Sequence, residues 1–120
     1  MKNLIPIVAF CCFVIPALVH GECSDAAVAG DESYRYARRV LRESSLAGAQ
    51  KYAQKAEDAS KRAMDIAEEC DYDEAASAFS HAARQAGMAS RAGDVATVKE
   101  HIRETMRIAE EGIQAAEQGR

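Results

Sequence analysis

From Leu46 onward, apolar and small residues return along the chain at alternating steps of four and three. Three stretches share one ungapped register: LAGAQKYAQKAEDASKRAMDIA, YDEAASAFSHAARQAGMASRAG and VATVKEHIRETMRIAEEGIQAA. Ala49, Ala75 and Val98 coincide, then Ala53, Phe79 and Ile102, then Ala56, Ala82 and Thr105. Ser60, Ala86 and Ala109 follow, and after them Ala63, Ala89 and Gly112. Steps of four and three keep residues on one face of a helix. Each stretch therefore predicts an amphipathic helix whose apolar stripe is made mostly of small side chains.

The breaks between stretches carry their own signals. Asp71 with Glu74 three residues later reads as a capping box opening the third helix. Gly93 followed by Asp94 reads as a left-handed stop and then an N-cap. Ser44 and Ser45 offer a cap for the second helix. The first helix starts near Ser24, tolerating Gly30, or afresh with Asp31 as its cap.

Helices joined by a few residues run antiparallel to one another, so the pattern predicts an all-α fold, an up-down-up-down four-helix bundle. Alanine seams bring backbones together at the low end of the usual 8–10 Å spacing. Tyr34, Leu41, Leu46, Tyr52, Ile66, Phe79, Ile102, Met106 and Ile108 are expected to fill what the alanines leave. Such a core is thin, because alanine buries little area compared with leucine.

The start of the chain differs. In MKNLIPIVAFCCFVIPALVHGECSD, Lys2 precedes an apolar run from Leu4 to Val19 that falls short of the ~20 residues of a membrane-spanning helix. Pro16 and the small residues near Val19 and Gly21 fit a signal peptide over 1–21, cut after Gly21, with 22–120 as a single helical-bundle domain. Cleavage after Cys23 is the alternative. A lipoprotein signal is disfavoured by Glu22, which stands before Cys23 where a small residue is needed. The mature chain is thus expected to be exported, periplasmic or secreted, with no membrane span. The full chain carries 15 Lys+Arg against 19 Asp+Glu, and cleavage removes only Lys2, for a net charge of −5. That balance argues against nucleic acid, whose binding draws on a basic footprint.

Cleavage leaves Cys23 and Cys70 as the only cysteines. The climbs from Cys23 to Ser44 and from Leu46 to Cys70 are about 32 and 36 Å at 1.5 Å per residue, so a bundle returns both cysteines to one end. In an exported chain an even pair reads as a disulfide. The other reading is a free thiol or a metal ligand at Cys70. A nucleophile is disfavoured, since Glu68, Glu69, Asp71, Asp73 and Glu74 oppose thiolate formation.

Enzymatic signatures are few. There is no phosphate-binding glycine loop, haem-attachment motif or HExxH. Ala78 and Val98 stand where a di-iron bundle needs glutamates before its histidines, and DYDE lacks the glycine and spacing of a calcium loop. His81 and His101 fall about 9 Å apart along the bundle axis, too far to share one ion. Each can reach only a carboxylate, as His101 with Glu104, so any divalent transition metal is expected to bind weakly. YRYARRVLRE puts Arg35, Arg38, Arg39 and Arg42 along one side of the first helix. They form either a face for an anionic partner or, as favoured here, salt bridges to Glu104, Glu110, Glu111 and Glu117.

Two resemblances accompany this reading. The runs FSHAARQAGMASRAGD and VKEHIRETMRIAEEG, within Leu46 to Gly119, resemble the periplasmic small metal-binding protein family. That likeness implies an exported, alanine-rich four-helix bundle that binds copper, nickel and similar ions through many histidines. This chain departs from that family in having Met88 and Ile108 where it repeats histidine. Tyr72, Ala75, Phe79 and Ala82 also resemble the second helix of a tetratricopeptide repeat, with Ala59, Ala63 and Ile66 as a weak first helix. That likeness implies a protein–protein interaction module with a groove beside Tyr72 and Phe79, although the repeat steps here are 26 and 23 residues rather than 34. The expectation is a non-enzymatic exported binding or accessory protein on a small metal-binding scaffold, the tetratricopeptide-like module being the alternative.

Overall fold

The computed structural model describes the backbone of residues 4–120 and the side chains of residues 23–120. The expected signal peptide and its cut after Gly21 lie outside the fully described residues. Four helices follow in order, α1 (Leu4–Leu41), α2 (Leu46–Glu69), α3 (Asp73–Arg91) and α4 (Val95–Glu117). No strand occurs among the described residues. α1 starts at neither Ser24 nor Asp31 but runs through both.

The helices form a four-helix bundle. α1 packs on α2 and α4, α3 packs on α2 and α4, and α2 touches α4 across the middle. Contacts between α1 and α2 proceed in order. Cys23 meets Cys70, Glu32 meets Arg62, Ser33 meets Ser60, Tyr36 meets Lys55 and Arg39 meets Tyr52. As numbers rise along α1, they fall along α2.

All fifteen positions of the shared register are buried, fourteen of them fully and Gly112 among the buried residues of α4. The larger groups divide otherwise than expected. Phe79 and Ile102 are fully buried and Ile108 is buried, whereas Tyr34, Leu41, Leu46, Tyr52, Ile66 and Met106 are only half-buried. Among the described residues, Val40 and Val98 are the other fully enclosed apolar side chains larger than alanine. Alanine fills most interior positions, and most of the larger side chains stand half-buried at the rim.

Phe79 is accommodated by two glycines. A Cβ added at Gly30 of α1 or at Gly112 of α4 would stand 2.6 Å from its Cε1. That close approach explains why α1 carries a glycine mid-helix despite its cost of about 1 kcal/mol. One layer of the interior is polar. The Ser33 hydroxyl donates to the Ala56 carbonyl at 3.0 Å and lies 2.6 Å from the Ser60 hydroxyl. Since Ser33 has one proton, Ser60 donates to it. Thr105 returns its proton to the His101 carbonyl at 2.9 Å. Among the described residues no buried side-chain nitrogen or oxygen is left without a partner.

The breaks confirm two caps and correct two. Ser45 accepts from Gly48 N–H, and Asp94 accepts from Thr97 N–H at 2.8 Å. The Asp71–Glu74 capping box does not form. Asp71 instead closes α2 in the left-handed conformation (φ 59°), with Asp71 N–H bonded to Glu68 O and Tyr72 N–H to Ala67 O. That is a Schellman ending with aspartate where glycine is usual, and a residue used as a C-terminal stop is not free to cap the next helix. α3 has Tyr72 at its N-cap without a side-chain bond, while Ala75 N–H in its first turn donates to Arg120 O at 2.8 Å. Gly93 is not the left-handed stop expected, because α3 ends on extended Ala92. The left-handed glycine is Gly119, where Gly119 N–H and Arg120 N–H bond to Ala116 O and Ala115 O to end α4.

Candidate functional site

Cys23 on α1 and Cys70 at the end of α2 are joined in a disulfide, with Cα atoms 5.7 Å apart. The bond closes a separation of 47 residues. In the chain-entropy account a loop of this size stabilises by about 3–4 kcal/mol. The cysteine in the acidic hinge is thus a staple, occupied on its sulfur and removed from ligation or nucleophilic attack.

An open groove of about 840 Å³ runs between α3 and α4, lined by His81, Gln85, Glu104, Arg107, Ile108 and Glu111 among others. Arg107 dominates it. Its Nε donates to Glu104 at 3.2 Å and its Nη1 to Glu111 at 3.0 Å, while Nη2 reaches the second oxygen of Glu104. The hydrogen bond from Arg107 holds the Glu104 carboxyl below the usual carboxylate range. His81 is exposed on this groove, but His101 does not line it. The His101 ring turns to Gln85, with Nδ1 2.9 Å from Oε1. A carbonyl oxygen only accepts, so Nδ1 carries the proton and Nε2 keeps the lone pair in the neutral ring.

The metal candidates are therefore dispersed. Glu104 is engaged by Arg107 and His101 by Gln85, while His81 stands at the groove on the other helix. Among the described residues, no three His, Cys, Asp or Glu side chains group closely enough to hold a metal ion.

The arginines differ from the favoured expectation. None pairs with Glu104, Glu110, Glu111 or Glu117 among the described residues. Glu104 and Glu111 take Arg107 from their own helix, one turn away, and need no partner from α1. Arg35 pairs with Asp31 at 3.0 Å. The Arg39 guanidinium stacks 4.8 Å above the Tyr52 ring, with the Lys51 ammonium 5.7 Å from the same ring. Lys55 lies 5.6 Å from the Tyr36 ring. Arg38 and Arg42 are exposed and make no ion pair among the described residues.

Residues 33–57 thus carry six Lys and Arg, all exposed, against the half-buried Glu43 and Glu57. From 58 to 74 the balance inverts to seven acids against Lys61 and Arg62. Sequence reasoning misses Lys51, Lys55, Tyr36 and Tyr52. Their signal is the aromatic–basic spacing of YRYARR and KYAQK, two segments that only the pairing of α1 with α2 brings together.

No protein-family model, curated protein or solved structure matches the chain. The resemblances rest on its residues alone. Of the peptide groove suggested beside Tyr72 and Phe79, Phe79 is fully buried. Tyr72 borders a hollow at the disulfide end with Cys23, Ser24 and Gly119.

Proposed function

We propose that this is a non-enzymatic accessory protein of the exported compartment, an antiparallel up-down-up-down bundle that binds an anionic partner through the basic face of α1 and α2. The observation that carries this reading is the concentration of six exposed cations within residues 33–57 of a chain whose net charge is −4. Two of them, Arg38 and Arg42, make no ion pair among the described residues, and stacking on Tyr52 and Tyr36 holds others in place on rigid helices. The falling numbers along α2 as α1 rises support the antiparallel arrangement. Export is supported by the disulfide and by the leader-like first residues. Among the described residues no helix is long and apolar enough to cross a membrane. The non-enzymatic reading draws on Cys70 being bonded to Cys23, and on the groove carboxylates and His101 being engaged by neighbours.

The test is retention of the mature domain on immobilised heparin as a polyanion probe. Arg38→Glu with Arg42→Glu is expected to abolish retention while leaving the circular dichroism spectrum unchanged. Retention unaffected by the double substitution would end this reading.

Metal binding at His81, His101 and Glu104 is proposed only as weak, each histidine acting with at most one carboxylate. Calorimetric titration with copper and nickel measures it. The binding should diminish in His81→Ala with His101→Ala, each of which removes an imidazole ligand.

A further inference from the structure

The two oppositely charged parts of the bundle cannot satisfy one another. The basic face is centred on Arg39 and Tyr52, while the acidic hinge lies at the disulfide end. From Cys23 to Arg39 is sixteen residues of continuous helix, about 24 Å along the axis. That exceeds the screening length of about 8–10 Å at ordinary ionic strength, and a stapled bundle does not fold back on itself. Glu68, Glu69, Asp71 and Asp73 on the hinge are all exposed, and none forms an ion pair among the described residues. The cations nearest them are already engaged, Arg120 by Glu74 at 3.3 Å and Arg62 by Glu32 at 2.9 Å.

We infer that the basic face of α1 and α2 receives the acidic hinge of a second copy of this chain, giving a head-to-tail contact. This rests on the proposal that the basic face is the working surface, and it names the anionic partner. Arg38 and Arg42 supply charges that no carboxylate among the described residues takes up, and the hinge presents carboxylates from a tight turn in which Asp71 is already fixed in the left-handed conformation. The contact joins unlike surfaces, so each added copy leaves one basic face and one hinge open until a ring closes, and the association runs past a dimer. Exposed ion pairs are individually weak and screened by salt. The contact therefore belongs to low ionic strength and high protein concentration.

Sedimentation equilibrium of the mature domain over a range of concentrations tests this. At low salt the weight-average mass should rise continuously with concentration beyond that of a dimer, and return to the monomer's in about 1 M salt, where screening acts within about 3 Å. Arg38→Glu with Arg42→Glu should remain monomeric, as should Glu68→Lys with Glu69→Lys. An equimolar mixture of the two variants should associate again, because each then offers the surface the other lacks. A monomer at every concentration in low salt would overturn the inference. So would a discrete dimer surviving both charge reversals, or a mixture that stays monomeric. If wild type is monomeric yet retained on heparin, with retention lost in Arg38→Glu with Arg42→Glu, this inference falls while the basic-face reading stands.

Discussion

Phe79 and Gly112 share one volume: a Cβ at position 112 would lie 2.6 Å from the Phe79 ring. The largest buried side chain among the described residues fits because α4, like α1 at Gly30, has nothing to put in its way. Gly112→Ala is therefore expected to destabilise by about 1–3 kcal/mol through overpacking, despite alanine's better helix propensity. Phe79→Ala should cost about 3–5 kcal/mol by leaving a cavity. Adding Gly112→Ala to Phe79→Ala should then cost nothing further or restore stability, a coupling that urea denaturation of the four species measures.

Reduction removes the Cys23–Cys70 staple without touching the alanine seams. Cys23→Ala with Cys70→Ala is expected to lose about 3–4 kcal/mol, with helical content preserved at room temperature. Thermal melts followed by circular dichroism report the loss. Mass spectrometry of the exported protein under non-reducing conditions tests the bond and the cut site together, since cleavage after Cys23 would leave Cys70 alone.

Acid should open the α3–α4 turn. The Thr97 backbone N–H, with the Thr97 hydroxyl, holds the Asp94 carboxyl below its ordinary value. A carboxyl depressed in the folded state contributes stability that is present above its unfolded pKa and lost as pH falls through the folded one. Glu104 adds to the same window through its bond from Arg107. Thermal stability should therefore decline below about pH 4. Asp94→Asn keeps a capping oxygen while removing the titration, and is expected to flatten that decline.

Asp71 occupies a left-handed position that glycine adopts without strain. Asp71→Gly is expected to leave stability unchanged or raise it by up to about 1 kcal/mol, the relief being offset by a freer unfolded chain. Asp71→Val should destabilise, because a β-branched side chain is poorly tolerated there. Chemical denaturation midpoints order the three.

The interior register is legible in the amino-acid order, because Ala49, Phe79, Ile102 and their equivalents follow helical spacing that short-range sterics enforce. The caps at Ser45 and Asp94 are legible for the same reason, each depending on three residues of local chain. Asp71 is not, since a stop for one helix and a start for the next use the same residue type. What separates them is the backbone conformation at that residue, which the spacing to Glu74 does not reveal. The arginine partners are hidden for a different cause. Arg39 stacks on Tyr52 from another helix, and spacing within α1 says nothing of which ring lies opposite. The metal candidates likewise depend on which way His101 turns, and Gln85 of α3 decides that.

An interior of alanines also bears on how the molecule loosens. Alanine has no rotamers to release, so swelling this core slightly would return almost no side-chain entropy while giving up the close backbone contacts outright. A compact state with native helices and fluctuating packing is stabilised by that regained freedom, and here little is available. Near-ultraviolet signals from Tyr36 and Tyr52 should therefore vanish together with helicity, and the bundle should pass from ordered to unfolded without a softened intermediate.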